Sequence, residues 1–168
     1  MNNNQTVLVT GGAGFIGSHL LESLLNSGYK VICVDNFSTS SPENISHIKE
    51  NSNFTFVEHD VVKPLPKDIK ADFVFHLASP ASPNHHSPIS YHALPLETML
   101  VNSVGTLELL KFSEENSAKF LFASTSEVYG DPLVHPQKED YLGNVSTTGP
   151  RSVYDESKRF GETLTAYL

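Results

Sequence analysis

The chain has 168 residues, the size of one domain with a buried core, and its formal net charge of −8 argues against a nucleic-acid-binding surface, which needs clustered lysines and arginines. No apolar run approaches the roughly 18–20 residues of a membrane span, and the polar start leads into a strand without a signal peptide, so no membrane association is expected. The single cysteine, Cys33, cannot form an internal disulfide, which favours a reducing, cytoplasmic location.

The predicted elements follow one another in the order β-α-β-α-β-β-α-β-α. Strands are expected at residues 6–10, 30–35, 54–60, 71–79 and 119–125, and helices at 15–28, 96–116 and from 152 onward, with a further helix between the second and third strands. This order requires right-handed crossovers, so it predicts an α/β fold with a parallel sheet and helices on both faces. Ligands bind such sheets at the carboxyl ends of the strands, where the Pro-, His- and Ser-rich segments 79–95 and 130–150 also lie.

The turn after the first strand carries the glycine pattern of a dinucleotide site. In "TGGAGFIG", Gly11 would allow a tight turn, Gly14 would let a pyrophosphate approach the helix N-terminus, and Gly17 would let helix and strand pack closely. Asp35 ends the second strand, where a carboxylate accepts hydrogen bonds from a ribose diol and repels a 2′-phosphate. The pattern predicts a Rossmann-type domain that binds NAD rather than NADP, against the alternative of a plain βα turn. Asp60 would reach the adenine or remain a solvated loop residue.

The segment "YDESK" places Tyr154 and Lys158 four residues apart, on one face of a helix. Taken alone they could be an ordinary exposed pair. Beside a dinucleotide site, a tyrosine whose pKa is lowered from its usual value near 10 could deprotonate a sugar hydroxyl. A lysine cation at ~4 Å in an effective dielectric of ~20 contributes about 4 kcal/mol, or roughly three pK units. The spacing therefore predicts a catalytic base and its activating cation.

The fifth strand is followed by "STSE", which is either a capped polar turn or the acid–base end of an active site. Four histidines invite a metal hypothesis: His76, His85, His86 and His92. They lack regular spacing and a carboxylate partner, so no metal site is expected.

Taken together, "TGGAGFIGSHL", Asp35, "HLAS", "STSEVYG" and "YDESKRFGE" resemble the extended short-chain dehydrogenase/reductase superfamily. Within it, "HLASPASP", "STSEVYGDP", "HPQKEDYLGNV" and "GPRSVYDESKR" are most similar to the UDP-glucuronate decarboxylase (UDP-xylose synthase) family. The resemblance implies NAD-dependent decarboxylation of UDP-glucuronate through a 4-keto intermediate, with NAD regenerated. It also implies a homodimer.

The resemblance assigns roles to individual residues. Thr125, Ser126 and Glu127 would lie beside C4 to C6 of the sugar and act with Tyr154 and Lys158. Ser126 replaces the aspartate of 4,6-dehydratases, which points away from dehydration. Besides the glycines, Asp35, Tyr154 and Lys158, the cofactor-binding set would be Phe15, Ile16, Asn36, Phe37, Ser38, Asp60, Val61, Leu77, Ser79 and Thr98, and the substrate set Asn102, Ser126, Glu127 and Arg151. Apolar or helix-capping roles remain open for Leu77, Ser79, Thr98 and Asn102, and Arg151 could instead pair with Glu156.

Two departures from the family keep alternatives open. Residues 1–168 are expected to form only the NAD-binding domain, without the C-terminal substrate region, so the chain could be a non-catalytic nucleotide-binding module. The segment 84–94 is several residues longer than the usual family loop, which puts any carry-over of roles there in doubt. Another sugar-nucleotide 4-epimerase or 4,6-dehydratase is the remaining enzyme alternative.

Overall fold

A computed structural model describes residues 4–168. Its centre is one parallel sheet of five strands in the order β3-β2-β1-β4-β5. The strands are β1 Thr6–Thr10, β2 Lys30–Asp35, β3 Phe54–Glu58, β4 Phe73–His76 and β5 Lys119–Phe122. The predicted α/β fold with a parallel sheet is confirmed. The last three strands end two or three residues earlier than predicted, because the residues that follow them leave the sheet and form loops at its carboxyl edge.

Four α-helices cover the sheet: α1 Phe15–Asn26, α2 Pro95–Leu100, α3 Thr106–Asn116 and α4 Ser152–Tyr167. The segment between β2 and β3 was predicted to be an α-helix, which is wrong: it contains a 3₁₀-helix over Pro42–Ile48. Residues 36–53 are rich in serine and asparagine, whose side chains compete for backbone hydrogen bonds and disfavour a long α-helix.

The predicted helix 96–116 is interrupted. Between α2 and α3 lies a π-helical turn, Val101–Gly105. His76 Nε2 lies 3.2 Å from the Val101 carbonyl oxygen, which can only accept, so Nε2 carries the proton and donates. Nδ1 then accepts from the Thr10 hydroxyl at 2.7 Å. This buried histidine joins the ends of β1 and β4 to the π-helical turn.

The sheet has a separate apolar core on each face because alternate strand residues point to opposite sides. Val7 and Val9 belong to the cluster under α1 and the 3₁₀-helix, whereas Leu8 belongs to the cluster under α3. All three are at most 1% exposed. Helices on both faces are thus confirmed, and Cys33 is a buried member of the first cluster.

The chain crosses the sheet between β1 and β4, so their carboxyl ends form the switch-point crevice. Gly11 and Ala78 follow these two strands and approach each other closely there. The fold therefore brings the glycine turn to the mouth of the crevice.

Candidate active site

The glycine turn has the geometry that a pyrophosphate cradle needs. Gly11 has φ +68°, and a Cβ there would lie 2.8 Å from Ala78 Cα. A Cβ on Gly17 would overlap the carbonyl oxygen of Gly11, so the close helix–strand packing predicted for Gly17 is present. Gly14 directly precedes α1, where the first backbone N–H groups of a helix lack intrahelical partners. A side chain at Gly11 or Gly17 would clash with neighbouring backbone, so glycine at these positions keeps the turn tight beside the start of α1.

Asp35 organises the end of β2. Its carboxylate is 7% exposed and accepts from the Ala13 backbone N–H (3.0 Å), the Phe37 N–H (2.9 Å) and the Ser40 hydroxyl (2.7 Å). Because two carboxylate oxygens offer about four acceptor positions, roughly one remains for a ribose hydroxyl. The charge itself remains available to repel a 2′-phosphate.

A cavity of about 550 Å³ extends from the glycine turn along the crevice. Most of the predicted cofactor residues line it: Gly11, Gly14, Phe15, Ile16, Gly17, Asp35, Asn36, Ser38, Asp60, Val61, Leu77, Ser79, Tyr154 and Lys158. Phe15 and Ile16 are 79% and 68% exposed, which is unusual for large apolar side chains and typical of a ligand-facing surface. The structure therefore brings the tyrosine, the lysine and the glycine turn to one cavity.

Two predicted cofactor residues do not line this cavity. The ring of Phe37 stacks on Phe56 with centroids 5.1 Å apart, so it contributes to packing. Thr98 is fully buried and its hydroxyl donates to the Leu94 carbonyl at 2.7 Å, the helix role that the sequence had left open. Conversely, Ser40 and Ile89 line the cavity without having been predicted. The composition of segment 79–95 indicated a ligand-facing loop but not which of its residues face the ligand.

Tyr154 and Lys158 are both buried, at 7% and 3% exposure. Lys158 Nζ donates to the Ala123 carbonyl at 2.8 Å and lies 5.9 Å from the centroid of the Tyr154 ring. Burial lowers the pKa of Lys158 to about 8.

The expected lowering of the Tyr154 pKa is wrong for the chain by itself. Burial raises this pKa, and a hydrogen bond with the Thr125 side chain only partly offsets the effect. The negative charges of Glu127 and Asp155 raise the pKa further, and the Lys158 ammonium donates its hydrogen bond to a backbone carbonyl. A base at this position needs further positive charge near the phenol.

The turn after β5 is capped and also faces the site. Thr125 is the N-cap of a 3₁₀-helix, Ser126–Tyr129, and its hydroxyl accepts from the Glu127 N–H at 3.2 Å. Glu127 Oε2 lies 3.0 Å from a guanidinium nitrogen of Arg151. Thr125 therefore has two roles: it caps this turn, and its side chain forms a hydrogen bond with the Tyr154 hydroxyl.

Arg151 lies at the centre of an acidic group. Besides Glu127, it contacts Asp131 at 2.8 Å and Asp155 at 4.0 Å. The alternative of a pair with Glu156 is wrong. Asp155 is 4% exposed and its Oδ1 has no hydrogen-bond partner. Burial raises the pKa of Asp155 to about 6, despite the opposing charge of Arg151.

Asn102 lies in the π-helical turn and is completely buried. Its amide nitrogen is 3.0 Å from the Ser79 hydroxyl, 3.0 Å from the Thr98 carbonyl and 3.2 Å from the Ser157 hydroxyl. This amide ties the loop after β4 to α4, so in the present arrangement it supports the site from within the protein.

The histidines do not form a metal centre. Within residues 4–168, no group of three or more His, Cys, Asp or Glu side chains is arranged to hold a metal ion. His76 is buried in the protein interior, and His85 stacks on His92 with centroids 3.6 Å apart. The His92 ring also contacts the tilted ring of Tyr91, a residue that sequence reasoning missed.

Comparisons with known proteins agree with this geometry. Residues 7–168 match the protein family described as the NAD dependent epimerase/dehydratase family. UDP-glucuronic acid decarboxylase 4 of Arabidopsis thaliana is 52% identical over 159 residues, which are 95% of this chain and 34% of that protein. UDP-glucuronic acid decarboxylase 1 of Danio rerio is 48% identical over 162 residues, 96% of this chain and 37% of that protein.

Solved structures show the same fold. UDP-glucose 4-epimerase from Bifidobacterium longum, in complex with NAD⁺ and UDP, is 32% identical with a TM-score of 0.76, covering 96% of this chain and 48% of that one. The chain thus spans about a third of the two decarboxylases and about half of this epimerase.

Proposed function

The chain belongs to the NAD dependent epimerase/dehydratase family, and from that membership we propose that its cavity binds NAD and that the native protein carrying it converts UDP-glucuronate to UDP-xylose and CO₂. The observation that carries the proposal is that Tyr154 and Lys158 line the same cavity as the glycine turn and Asp35. The names of the curated relatives, at about 50% identity, support this substrate.

The residues around the cavity fit NAD. Gly11 and Gly17 let the turn close tightly, and Gly14 directly precedes α1, whose first backbone N–H groups suit a pyrophosphate. Asp35 would accept from the adenosine ribose. When bound, NAD would supply reversible hydride acceptance for the sugar and the positive charge that the Tyr154 site lacks.

The chain's own residues then handle protons. Tyr154 as phenolate takes the proton of the C4 hydroxyl, with Thr125 as its hydrogen-bond partner. A ketone at C4 makes the sugar a β-keto acid, so the C5 carboxylate leaves as CO₂ and its bonding electrons form an enolate. Donors from Tyr154 and Thr125 stabilise the C4 oxygen of that enolate.

The enolate takes one proton at C5, and that proton comes ultimately from solvent because the C4 proton is returned to O4. Glu127, about one-third exposed and held by Arg151, would deliver it directly or orient a water molecule. Ser126 is exposed on the same turn. A serine cannot act as a strong acid, but decarboxylation has no leaving hydroxyl to protonate, so this residue disfavours 4,6-dehydration.

A product assay separates the candidate functions. The native protein containing this chain is incubated with NAD and UDP-glucuronate, and CO₂ and nucleotide sugars are measured. We expect equal amounts of CO₂ and UDP-xylose without net NADH. A sugar epimerised at C4 would favour the 4-epimerase, which the fold of the B. longum enzyme also supports. NAD binding without turnover would identify a non-catalytic module and overturn the proposal.

Replacing the proposed base gives the largest expected loss of activity. Tyr154→Phe removes only the hydroxyl, and loss of a general base typically lowers turnover by roughly 10²–10⁴-fold. Thr125→Ala should act in the same direction, and both variants should retain NAD binding by calorimetry. Tyr167→Phe is the control, since Tyr167 is 86% exposed. Near-normal turnover of Tyr154→Phe would refute the assignment of the base.

We also propose a homodimer and a cytoplasmic location. Apolar side chains stay exposed on α2 and α4, including Leu96 at 58%, Met99 at 43% and Phe160 at 51%, which supports burial of these helices in a subunit interface. Light scattering at several concentrations tests the dimer. Among the helices of residues 4–168, none is long and apolar enough to cross a bilayer.

A further inference from the structure

Tyr91 is the one large aromatic side chain in segment 79–95, and the proposed chemistry gives it no role. Its relative exposure is 1%, although it belongs to neither of the two apolar cores under the helices. Its burial therefore needs another explanation. The Tyr91 ring stacks on the ring of Tyr154, with centroids 4.9 Å apart and planes 9° from parallel.

Two histidine rings extend this pair of tyrosine rings. The Tyr91 ring also contacts His92, at 4.4 Å, and His92 stacks on His85 at 3.6 Å. Four rings thus form a continuous series, which we call the aromatic column: His85, His92, Tyr91 and Tyr154. The Tyr91 N–H donates to the Ser82 carbonyl at 3.2 Å, so the backbone of the same segment is also held in place.

The Tyr91 hydroxyl also interacts with the charged residues beside the proposed base, a region that we call the sugar side of the site. Burial raises the pKa of its hydroxyl, and the charges of Glu127 and Asp155 raise it further while Arg151 opposes them. Its ring contacts the proposed base, but it does not line the NAD cavity. Any effect on catalysis would therefore act through Tyr154 and not through cofactor contacts.

We propose that Tyr91 is a positioning residue for Tyr154: the stacked ring holds the phenol of the base in the direction of the sugar C4 hydroxyl, and the two histidines anchor Tyr91. The inference rests on the proposed function for the role of Tyr154. Offset stacking is a preferred geometry for aromatic pairs, and the Tyr91 ring restricts how far the Tyr154 phenol can turn beside the cavity that it lines. Proton abstraction depends steeply on such placement, since an error of about 1 Å can cost roughly 10²-fold in rate.

The first test reads the stack directly in the 168-residue chain, without cofactor or substrate. A ring stacked on another shifts the NMR resonances of its neighbour, and Tyr154→Phe identifies the Tyr154 ring signals. We expect Tyr91→Leu to abolish the shift of these signals and Tyr91→Phe to preserve it. Unchanged Tyr154 signals in Tyr91→Leu would overturn the proposal, whatever reaction the protein catalyses.

The second test uses turnover of the native protein. Tyr91→Leu should lower kcat about 10²-fold, while the Kd of NAD stays within about twofold because Tyr91 lies outside the cavity lining. Tyr91→Phe keeps the ring and should restore kcat, which a role for the hydroxyl would not allow. If Tyr91→Leu does not fold, His92→Ala provides the same comparison by removing the anchor. Equal kcat in Tyr91→Leu and wild type, with UDP-xylose still formed, would reject the positioning role and leave the proposed function standing.

Discussion

The two halves of the candidate site are built in opposite ways. The nucleotide side, formed by Gly11, Gly17 and Asp35, has its charge satisfied by three hydrogen bonds from the chain itself. The sugar side, formed by Tyr91, Glu127, Asp131, Arg151 and Asp155, has three carboxylates around the Arg151 guanidinium and leaves Asp155 Oδ1 buried without a partner. Polar groups whose hydrogen bonds are already satisfied suit the binding of a cofactor that stays bound. Buried polar groups without partners suit a site whose hydrogen-bond partners change during a reaction.

The largest expected effect on the nucleotide side comes from a side chain at Gly17, which would distort the glycine turn. In Gly17→Ala the new Cβ would overlap the backbone of Gly11 and Gly12, so the turn must move. We expect the Kd of NAD to rise about 100-fold or more, which corresponds to about 2.7 kcal/mol. Calorimetry on the chain measures it, and circular dichroism verifies folding. Gly149→Ala is the control, because its Cβ would meet only the Ser146 side chain and Gly149 does not line the cavity. Wild-type affinity in Gly17→Ala would remove the glycine turn from the site.

Two buried groups near the site, His76 and Asp155, should change the acid stability of the chain in opposite directions, and the larger effect belongs to His76. Burial, together with the charge of Lys158, lowers the pKa of His76 to about 3, below its value of about 6.5 in the unfolded chain. As pH falls below 6.5 the unfolded chain binds a proton that the folded chain does not, so stability is lost at up to about 1.4 kcal/mol per pH unit. Between pH 7 and 5 this amounts to about 2 kcal/mol.

His76→Gln should flatten this dependence, as measured by urea unfolding at several pH values. Thr10→Val is the matched control, because it removes the hydrogen bond to His76 but keeps the titrating ring. That variant should be less stable at every pH and retain the wild-type slope. Equal slopes in His76→Gln and wild type would contradict the burial of a neutral histidine.

Asp155 should produce the opposite and smaller effect. Its pKa in the folded chain, about 6, lies above the value near 3.8 of a free aspartate. Between these two values the folded chain holds a proton that the unfolded chain has released, so this residue contributes stability that grows as pH falls and is lost as pH rises through 6. Asp155→Asn should therefore steepen the acid loss by less than about 1.4 kcal/mol per pH unit. The same urea series measures it, and a flatter curve would contradict the raised pKa.

The same contrast explains which parts of the molecule could be predicted from the sequence. The nucleotide side lies within residues 6–40, where a strand, a glycine turn and a strand that ends in an aspartate follow one another, so local sequence pattern was enough to predict it. The sugar side joins residues 91, 125–131 and 151–158, and pairs such as Arg151 with Asp131 depend on how distant loops fold back. The motif after β5 identified Thr125 and Glu127 by resemblance, but not their partners.

Backbone irregularities were beyond pattern analysis for a different reason. The 3₁₀-helix Pro42–Ile48 depends on small local energies, and periodicity cannot distinguish it from a short α-helix. Tyr91 was missed because segment 84–94 has neither periodicity nor a recognisable motif. Only the structure shows that its ring stacks on the ring of Tyr154.

The π-helical turn has a consequence for how this chain tolerates changes in length. Each residue of an α-helix advances the chain by about 100°, so removing one residue from Val101–Gly105 would rotate the helix face that follows it by that amount. Asn102 would then lose its bridge between Ser79 and Ser157, and α3 would present different residues to the sheet. A one-residue deletion at this point would thus disturb both the apolar core and the site.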